Sequence, residues 1–69
     1  MKFRFEVQLA QIWYEDDYEV DRDEWTETHT VTAESSLVAK AKLANRMERA
    51  YGSSTGEHEL VITIDGVRW

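Results

Sequence analysis

Residues 2–13 begin with a regular alternation of apolar and polar side chains. An alternation with a period of two predicts a β-strand with one buried face. The apolar side chains of this set are Phe3, Phe5, Val7 and Leu9. The phase slips at Ala10–Gln11, because Ile12 and Tyr14 would otherwise point to the polar side. We therefore expect a bulge or the end of the strand at Ala10–Gln11.

Residues 25–33 alternate in the same way and predict a second strand. One face carries Thr26, Thr28, Thr30 and Thr32. The opposite face carries Trp25, Glu27, His29, Val31 and Ala33. Because a row of threonines is typical of the solvated face of a sheet, the face that contains Trp25 is expected to pack on the core.

From Ser35 onward the apolar side chains recur with the period of an α-helix, which predicts a helix over residues 35–51. Ser35 or Ser36 is suited to cap its N-terminus, and Gly52 is suited to end it. The predicted buried face consists of Leu37, Ala41, Ala44, Met47 and Tyr51, widened by Leu43 and Ala50. A basic stripe on the opposite face consists of Lys42, Arg46 and Arg49.

The last part of the chain predicts a loop over residues 52–56 and a strand over residues 58–64. Asp65–Gly66 is a turn signal. Residues 67–69 could add a short final strand, or Trp69 could fold onto the core.

These elements predict one small α+β domain over residues 1–69 with the order β-β-α-β. The first strand is the most regularly apolar, so we place it at the centre of a mainly antiparallel three-stranded sheet. The other two strands flank the helix and are expected to be parallel to each other, joined by a right-handed crossover. The helix would cover one face of the sheet, and the threonine face would be open to solvent or to a partner.

The stretch Glu15–Glu27 contains most of the charge of the protein. Its acids are Glu15, Asp16, Asp17, Glu19, Asp21, Asp23, Glu24 and Glu27. With Arg22 as the one base, eight acids give 1 − 8 = −7, while the whole chain has a net charge of −6. The rest of the chain therefore sums to +1, and a concentrated charge of this kind favours a binding surface for a basic partner.

If the acidic stretch is extended, Asp17, Glu19, Asp21 and Asp23 line one side at intervals of about 6.7 Å. Tyr18 and Val20 would then face the protein. If the stretch is a loop, this ladder disappears and only the charge density remains. The aromatic side chains expected to anchor a partner are Trp13, Tyr14 and Tyr18, since aromatic residues are enriched at interface anchors.

The composition excludes several classes of function. The sequence pI is near 4.7, which disfavours direct contact with nucleic acid or with an anionic membrane. Without cysteine, the chain can form neither a disulfide nor a thiolate site. No signal-peptide pattern and no membrane-spanning apolar run is present, so we expect a cytoplasmic protein. The sequence leaves both a monomer and a homodimer open.

Metal and catalytic sites find little support in the sequence. A calcium loop that starts at Asp17 would place Arg22 where glycine is needed and Thr28 where glutamate is needed. His29 and His58 lie on different predicted strands, and the serines lie at a helix cap and in a loop where a nucleophile would not be preorganised. We therefore predict no enzyme activity, no cofactor and no metal.

The acids of Glu15–Glu27 and the amphipathic helix from Ser35 to Tyr51 give a plan that resembles the small acidic β-β-α-β proteins used by phages as inhibitors. These include anti-CRISPR proteins that mimic DNA. The resemblance implies a stoichiometric inhibitor that acts in the host cytoplasm and covers the basic nucleic-acid-binding surface of a partner protein.

A looser likeness is to the strand-strand-helix domain of HicB-type antitoxins. The alternative function is a structural or self-assembly module, phage accessory or antitoxin-like, that uses its exposed sheet face or edge.

Overall fold

A single α-helix lies across one face of a four-stranded antiparallel sheet in the computed structural model, which describes residues 1–69. The elements are β1 (Lys2–Glu15), β2 (Tyr18–Thr32), α1 (Ser36–Tyr51), β3 (His58–Ile64) and β4 (Val67–Arg68). The strand order is β2-β1-β3-β4. The prediction of an α+β fold with β1 central and antiparallel to both neighbours is confirmed. The predicted three strands become four because β4 pairs with β3.

Two tight turns set the positions of the paired strands. Asp16 and Asp17 join β1 to β2 with φ of 51° and 67°, and Asp65 and Gly66 join β3 to β4 with φ of 49° and 83°. Positive φ at both central residues defines a type I′ turn, whose twist matches that of the flanking strands. Both connections are therefore hairpins.

The irregularity of β1 lies at Trp13/Tyr14, so the predicted slip at Ala10–Gln11 is wrong. Pairing with β2 runs without interruption through Ala10 and Gln11. Trp13 then faces Asp21 and Tyr14 faces Glu19, which leaves Val20 as the extra residue of a β-bulge. Ile12 is buried nevertheless, on the sheet face opposite the helix, where it lies outside the core cluster.

The helix begins one residue after the predicted start, at Ser36, and ends at Tyr51 as predicted. The Ser35 side chain caps its N-terminus, since its hydroxyl accepts from the Val38 N–H at 3.2 Å. Gly52, at φ 90°, ends the helix and donates its N–H to the Glu48 carbonyl at 2.8 Å. Glycine adopts this φ without the steric cost that a side chain adds.

The buried face of α1 differs from the predicted one. Leu37 is 70% exposed, and Ala41 and Ala50 are also exposed. The side chains that pack on the sheet are Ala39, Leu43, Ala44 and Met47, with Tyr51 partly buried. The row of residues 39, 43, 47 and 51 is apolar over the whole helix, whereas the row that starts at Leu37 runs into Asn45 and Glu48. The continuous row buries more apolar surface, so it sets the rotation of the helix.

The core lies between this helix face and one face of the sheet. The sheet contributes Phe5, Val7, Leu9, Val31, Ala33, Leu60, Ile62 and Ile64. The threonines of β2 are exposed on the opposite face, as predicted. No helix of the structure has the length and apolar character needed to cross a membrane.

The outer edge of β3 is covered by the chain itself. The Trp69 N–H donates to the Ile62 carbonyl at 2.8 Å, which extends the pairing of β4. The Ser54 hydroxyl accepts from the Leu60 N–H at 3.0 Å, and the Thr55 N–H donates to the His58 carbonyl at 2.6 Å. The other edge of the sheet is β2, which pairs only with β1.

The assignment of the helix face predicts the effect of two matched truncations. Leu43→Ala removes a fully buried side chain and should lower the free energy of unfolding by about 2–5 kcal/mol. Leu37→Ala changes an exposed side chain on the same helix and should alter it by no more than about 0.5 kcal/mol. Urea unfolding followed by circular dichroism measures both, and equal losses would contradict the observed rotation of the helix.

Candidate functional site

The distal half of the β1–β2 hairpin extends beyond the helix and carries the net charge of the protein. The Gln11 side-chain amide donates to the carbonyl of Tyr51, the last helical residue, at 3.0 Å. Residues 12–24, here called the acidic arm, lie past this point of a molecule that measures 44 × 18 × 18 Å. Between Glu15 and Glu24 there are seven acids and Arg22, so this segment contributes 1 − 7 = −6. The chain total is also −6, and the remainder is neutral.

The bulge distributes the carboxylates of the arm over several directions. Asp21 pairs with Trp13 and Asp23 pairs with Gln11, so both acids lie on the helix side of the sheet. Glu19 is shifted to the open side, where it meets Arg22. Asp17 lies in the turn. The predicted ladder of Asp17, Glu19, Asp21 and Asp23 along one side is therefore wrong, because the extra residue reverses the alternation.

Two side chains of the arm that were expected to face the protein are exposed instead. Tyr18 is 76% exposed and Val20 is 58% exposed. Tyr18 follows the turn directly, and Val20 is the bulged residue. Both apolar surfaces are thus available at the end of the arm.

Arg22 neutralises part of the arm from within. Its guanidinium contacts the carboxylates of Glu19 at 2.8 Å and Glu24 at 2.7 Å. The hydrogen bond from Arg22 lowers the pKa of Glu19, and the two carboxylates raise the pKa of Arg22. These pairs are exposed, so each contributes little to the stability of the fold. The remaining acids of the arm form no salt bridge: Glu15, Asp16, Asp17, Asp21 and Asp23.

Two of the three predicted aromatic anchors have contacts inside the fold. Trp13 is partly buried, with its ring centroid 5.4 Å from that of His58. The Tyr14 hydroxyl donates to Glu59 at 3.4 Å. Partial burial and the Glu59 carboxylate raise the pKa of Tyr14. Tyr18 has no such contact, so it is the aromatic side chain of the arm that a partner could reach without rearrangement of the fold.

Glu27 lies apart from the other acids, and its side chain points from β2 towards the end of the helix. Its carboxylate accepts from the Tyr51 hydroxyl, from the Trp25 indole N–H at 2.6 Å, and contacts His29 Nε2 at 2.7 Å. The hydrogen bond between the Tyr51 hydroxyl and Glu27 is the main cause of two shifts: it lowers the pKa of Glu27 and raises the pKa of Tyr51. The sequence contains a signal for this network that was not predicted. The strand alternation places Glu27 between Trp25 and His29 on the core side, where a carboxylate needs hydrogen-bond donors.

Two residues of the basic stripe of the helix, Lys42 and Arg46, contact β2. Lys42 Nζ donates to the Thr32 carbonyl at 3.2 Å. Arg46 Nη1 lies 3.4 Å from His29 Nδ1. Both cations remain exposed, and they line the outer edge of β2 on the helix side of the sheet. No three histidine, aspartate or glutamate side chains in the structure are placed to hold a metal ion together.

Comparison with protein-family models, with curated proteins and with solved structures finds no match to this chain.

The network of Glu27 predicts a pH-dependent stability. Because the pKa of Glu27 is lower in the folded state, its contribution is complete above the unfolded pKa of about 4.3 and is lost as the pH falls through the folded value. Glu27→Gln should lower the free energy of unfolding by about 1–2 kcal/mol at neutral pH and by less at about pH 3. Tryptophan fluorescence during urea unfolding at both pH values measures the difference. Glu48→Gln, on the exposed helix surface, is the control, and a loss that is the same at both pH values would contradict this role.

The free acids of the arm are expected to contribute nothing to folding. Asp16→Asn, Asp17→Asn, Asp21→Asn and Asp23→Asn together remove like-charge repulsion, and asparagine tolerates the positive φ of the turn. The free energy of unfolding should stay the same or rise by up to about 1 kcal/mol. By contrast, Arg22→Gln leaves Glu19 and Glu24 unpaired and should lower it. Thermal and urea unfolding test both variants, and a clear loss in the fourfold variant would mean that the fold pairs these carboxylates.

Proposed function

We propose that the protein is a stoichiometric binding protein whose acidic arm occupies the basic nucleic-acid-binding surface of a partner protein. The observation that carries this proposal is the placement of the entire net charge at one end of an elongated molecule. A charge needed only for solubility would be spread over the surface.

The acids without an internal cation supply the charge complementarity. These acids form no salt bridge within the fold, and a partner would offer each of them a lysine or arginine that otherwise contacts phosphate: Glu15, Asp16, Asp17, Asp21 and Asp23. Because Asp21 and Asp23 lie on one side of the ribbon and Asp16 and Asp17 lie at its tip, the arm suits a groove with basic walls better than a flat surface. Tyr18 and Val20 add apolar contact area at the tip.

Electrostatic attraction of this kind accelerates association before any contact forms. A small protein that carries its charge on a projecting hairpin can reach a cleft that its body, about 18 Å across, could not enter as a whole. The mode of action would be occupation of the site, as in the DNA-mimicking phage inhibitors that the chain resembles.

A capture experiment with three immobilised forms of the protein tests this function. The wild type, the fourfold arm variant Asp16→Asn, Asp17→Asn, Asp21→Asn and Asp23→Asn, and a control with the same loss of charge elsewhere are exposed to a lysate of the cells in which the protein occurs. The control changes Glu6, Glu34, Glu48 and Glu57 to glutamine, and all four are exposed and form no salt bridge.

We expect a specific protein to be retained by the wild type and the control but not by the arm variant. With this partner purified, the arm variant should bind at least about tenfold more weakly, while the control should stay within about threefold. Raising the salt concentration should slow association, and single- or double-stranded DNA or RNA should compete. Equal binding by the two neutralised variants, or a complex unaffected by both salt and nucleic acid, would contradict the proposal.

A further inference from the structure

One edge of the sheet is covered and the other is open. The outer edge of β3 is occupied by β4, by the Trp69 backbone and by the loop that contains Ser54 and Thr55. The outer edge of β2 has no covering element. An open edge strand is a template for the addition of another strand, and proteins that must avoid this usually cover or charge such edges.

The hydrogen bonds at the start of β1 show which residues form the open edge. Met1 and Ala33 exchange both backbone bonds, so the odd-numbered residues of β2 point their N–H and C=O groups towards β1. The even-numbered residues therefore point outward, in agreement with the contact between Lys42 and the Thr32 carbonyl. The Arg22 N–H is taken by the Asp21 side chain at 2.9 Å. The outward backbone groups that stay free belong to Glu24, Thr26, Thr28 and Thr30.

We propose that this edge binds a second copy of the chain, with the two β2 strands antiparallel about a two-fold axis at Thr26. Thr26 would pair with Thr26 of the second copy, Glu24 with Thr28, and Arg22 with Thr30. These are all outward-pointing residues, so the backbone hydrogen bonds of the two strands match, except that the Arg22 N–H stays with the Asp21 side chain. The result is one continuous eight-stranded sheet.

Charge complementarity selects a second copy as the occupant. In this register Asp23 lies directly opposite His29 of the second copy, and Arg46 of that copy already reaches this histidine at 3.4 Å. Asp21 lies opposite Val31, beside the carbonyl of Thr32 that Lys42 contacts. Directly opposed side chains on one face are about 5 Å apart at their Cβ atoms, so each acid meets a cation of the other copy. The acidic arm and the basic helix stripe of one chain are thus complementary to those of the other.

Neighbouring registers are less favourable because they oppose like charges. An axis at Trp25 places Asp23 against Glu27, an axis at Glu27 places Glu27 against its own copy, and an axis at Glu24 does the same for Glu24. An axis at Thr28 carries Asp21 beyond the end of β2. Since like charges directly opposite each other destabilise a sheet, the axis at Thr26 is preferred.

This inference does not depend on the proposed function. The two proposals share Asp21 and Asp23, which face cations of the second copy in the dimer. The acids without a salt bridge that a dimer leaves for a basic partner are therefore Glu15, Asp16 and Asp17. A dimer would present two acidic tips at opposite ends of the sheet.

Reversal of the complementary charges tests the dimer by sedimentation equilibrium. Wild type should be dimeric at submillimolar concentration. The variant Asp21→Lys with Asp23→Lys, and the variant Lys42→Glu with Arg46→Glu, should each raise the dimer dissociation constant at least about tenfold, because each opposes like charges across the axis. An equimolar mixture of the two variants should form a heterodimer, since every contact in it again joins opposite charges.

A backbone variant provides a second, independent measurement. Thr28→Pro removes an outward N–H without removing a bond to β1 and should weaken the dimer. Glu48→Lys with Glu57→Lys changes two exposed acids that lie neither on β2 nor next to its ends, and should not weaken it. A monomeric wild type overturns the inference, and so does a mixture of the two reversed variants that stays monomeric. Because these measurements need no other partner, their failure would leave the arm's binding of a basic protein open to its own test.

Discussion

A helix is shorter than a strand of similar residue number, and this difference organises the whole molecule. The 16 residues of α1 span about 24 Å, whereas the 14 residues of β1 span about 46 Å. The helix can therefore cover only about half of the hairpin that β1 forms with β2. Apolar side chains fill the covered half, from Phe5 to Leu9 on β1. The uncovered half has no core to join, so its side chains are free to be charged.

The network around Glu27 lies at the boundary between these halves. Tyr51, the last residue of the helix, contacts Trp25 edge-to-face with ring centroids 4.9 Å apart, and its hydroxyl reaches Glu27. A carboxylate so close to the core is compatible with folding because three donors surround it. Glu27 is thus partly buried and has a structural role, whereas the acids of the arm are exposed and form a charged surface.

Much of the fold could be predicted from the sequence, because strand alternation, the Ser35 cap and the turn at Asp65–Gly66 are local signals. The central position of β1 followed from its regular apolar pattern. The rotation of the helix did not follow, since apolar residues such as Leu37 and Leu43 occur on more than one side and only packing on the sheet decides between them. The ladder of the arm failed for a similar reason: a single bulged residue, Val20, reverses every side chain beyond it and leaves no mark in the composition. The charge of the arm needed no structure, but the directions of its carboxylates did.

The covered edge of β3 limits how many copies of the chain can join one sheet. A sheet with two open edges can add copies without end and grow into a fibre, whereas a sheet with one open edge is complete after a single addition. Because β4 and the loop at Ser54 cover the outer edge of β3, the chain has only one edge, that of β2, at which another strand can pair. If a second copy binds at β2, the resulting sheet ends on both sides in a β3 edge that is covered, and no further copy can be added by strand pairing.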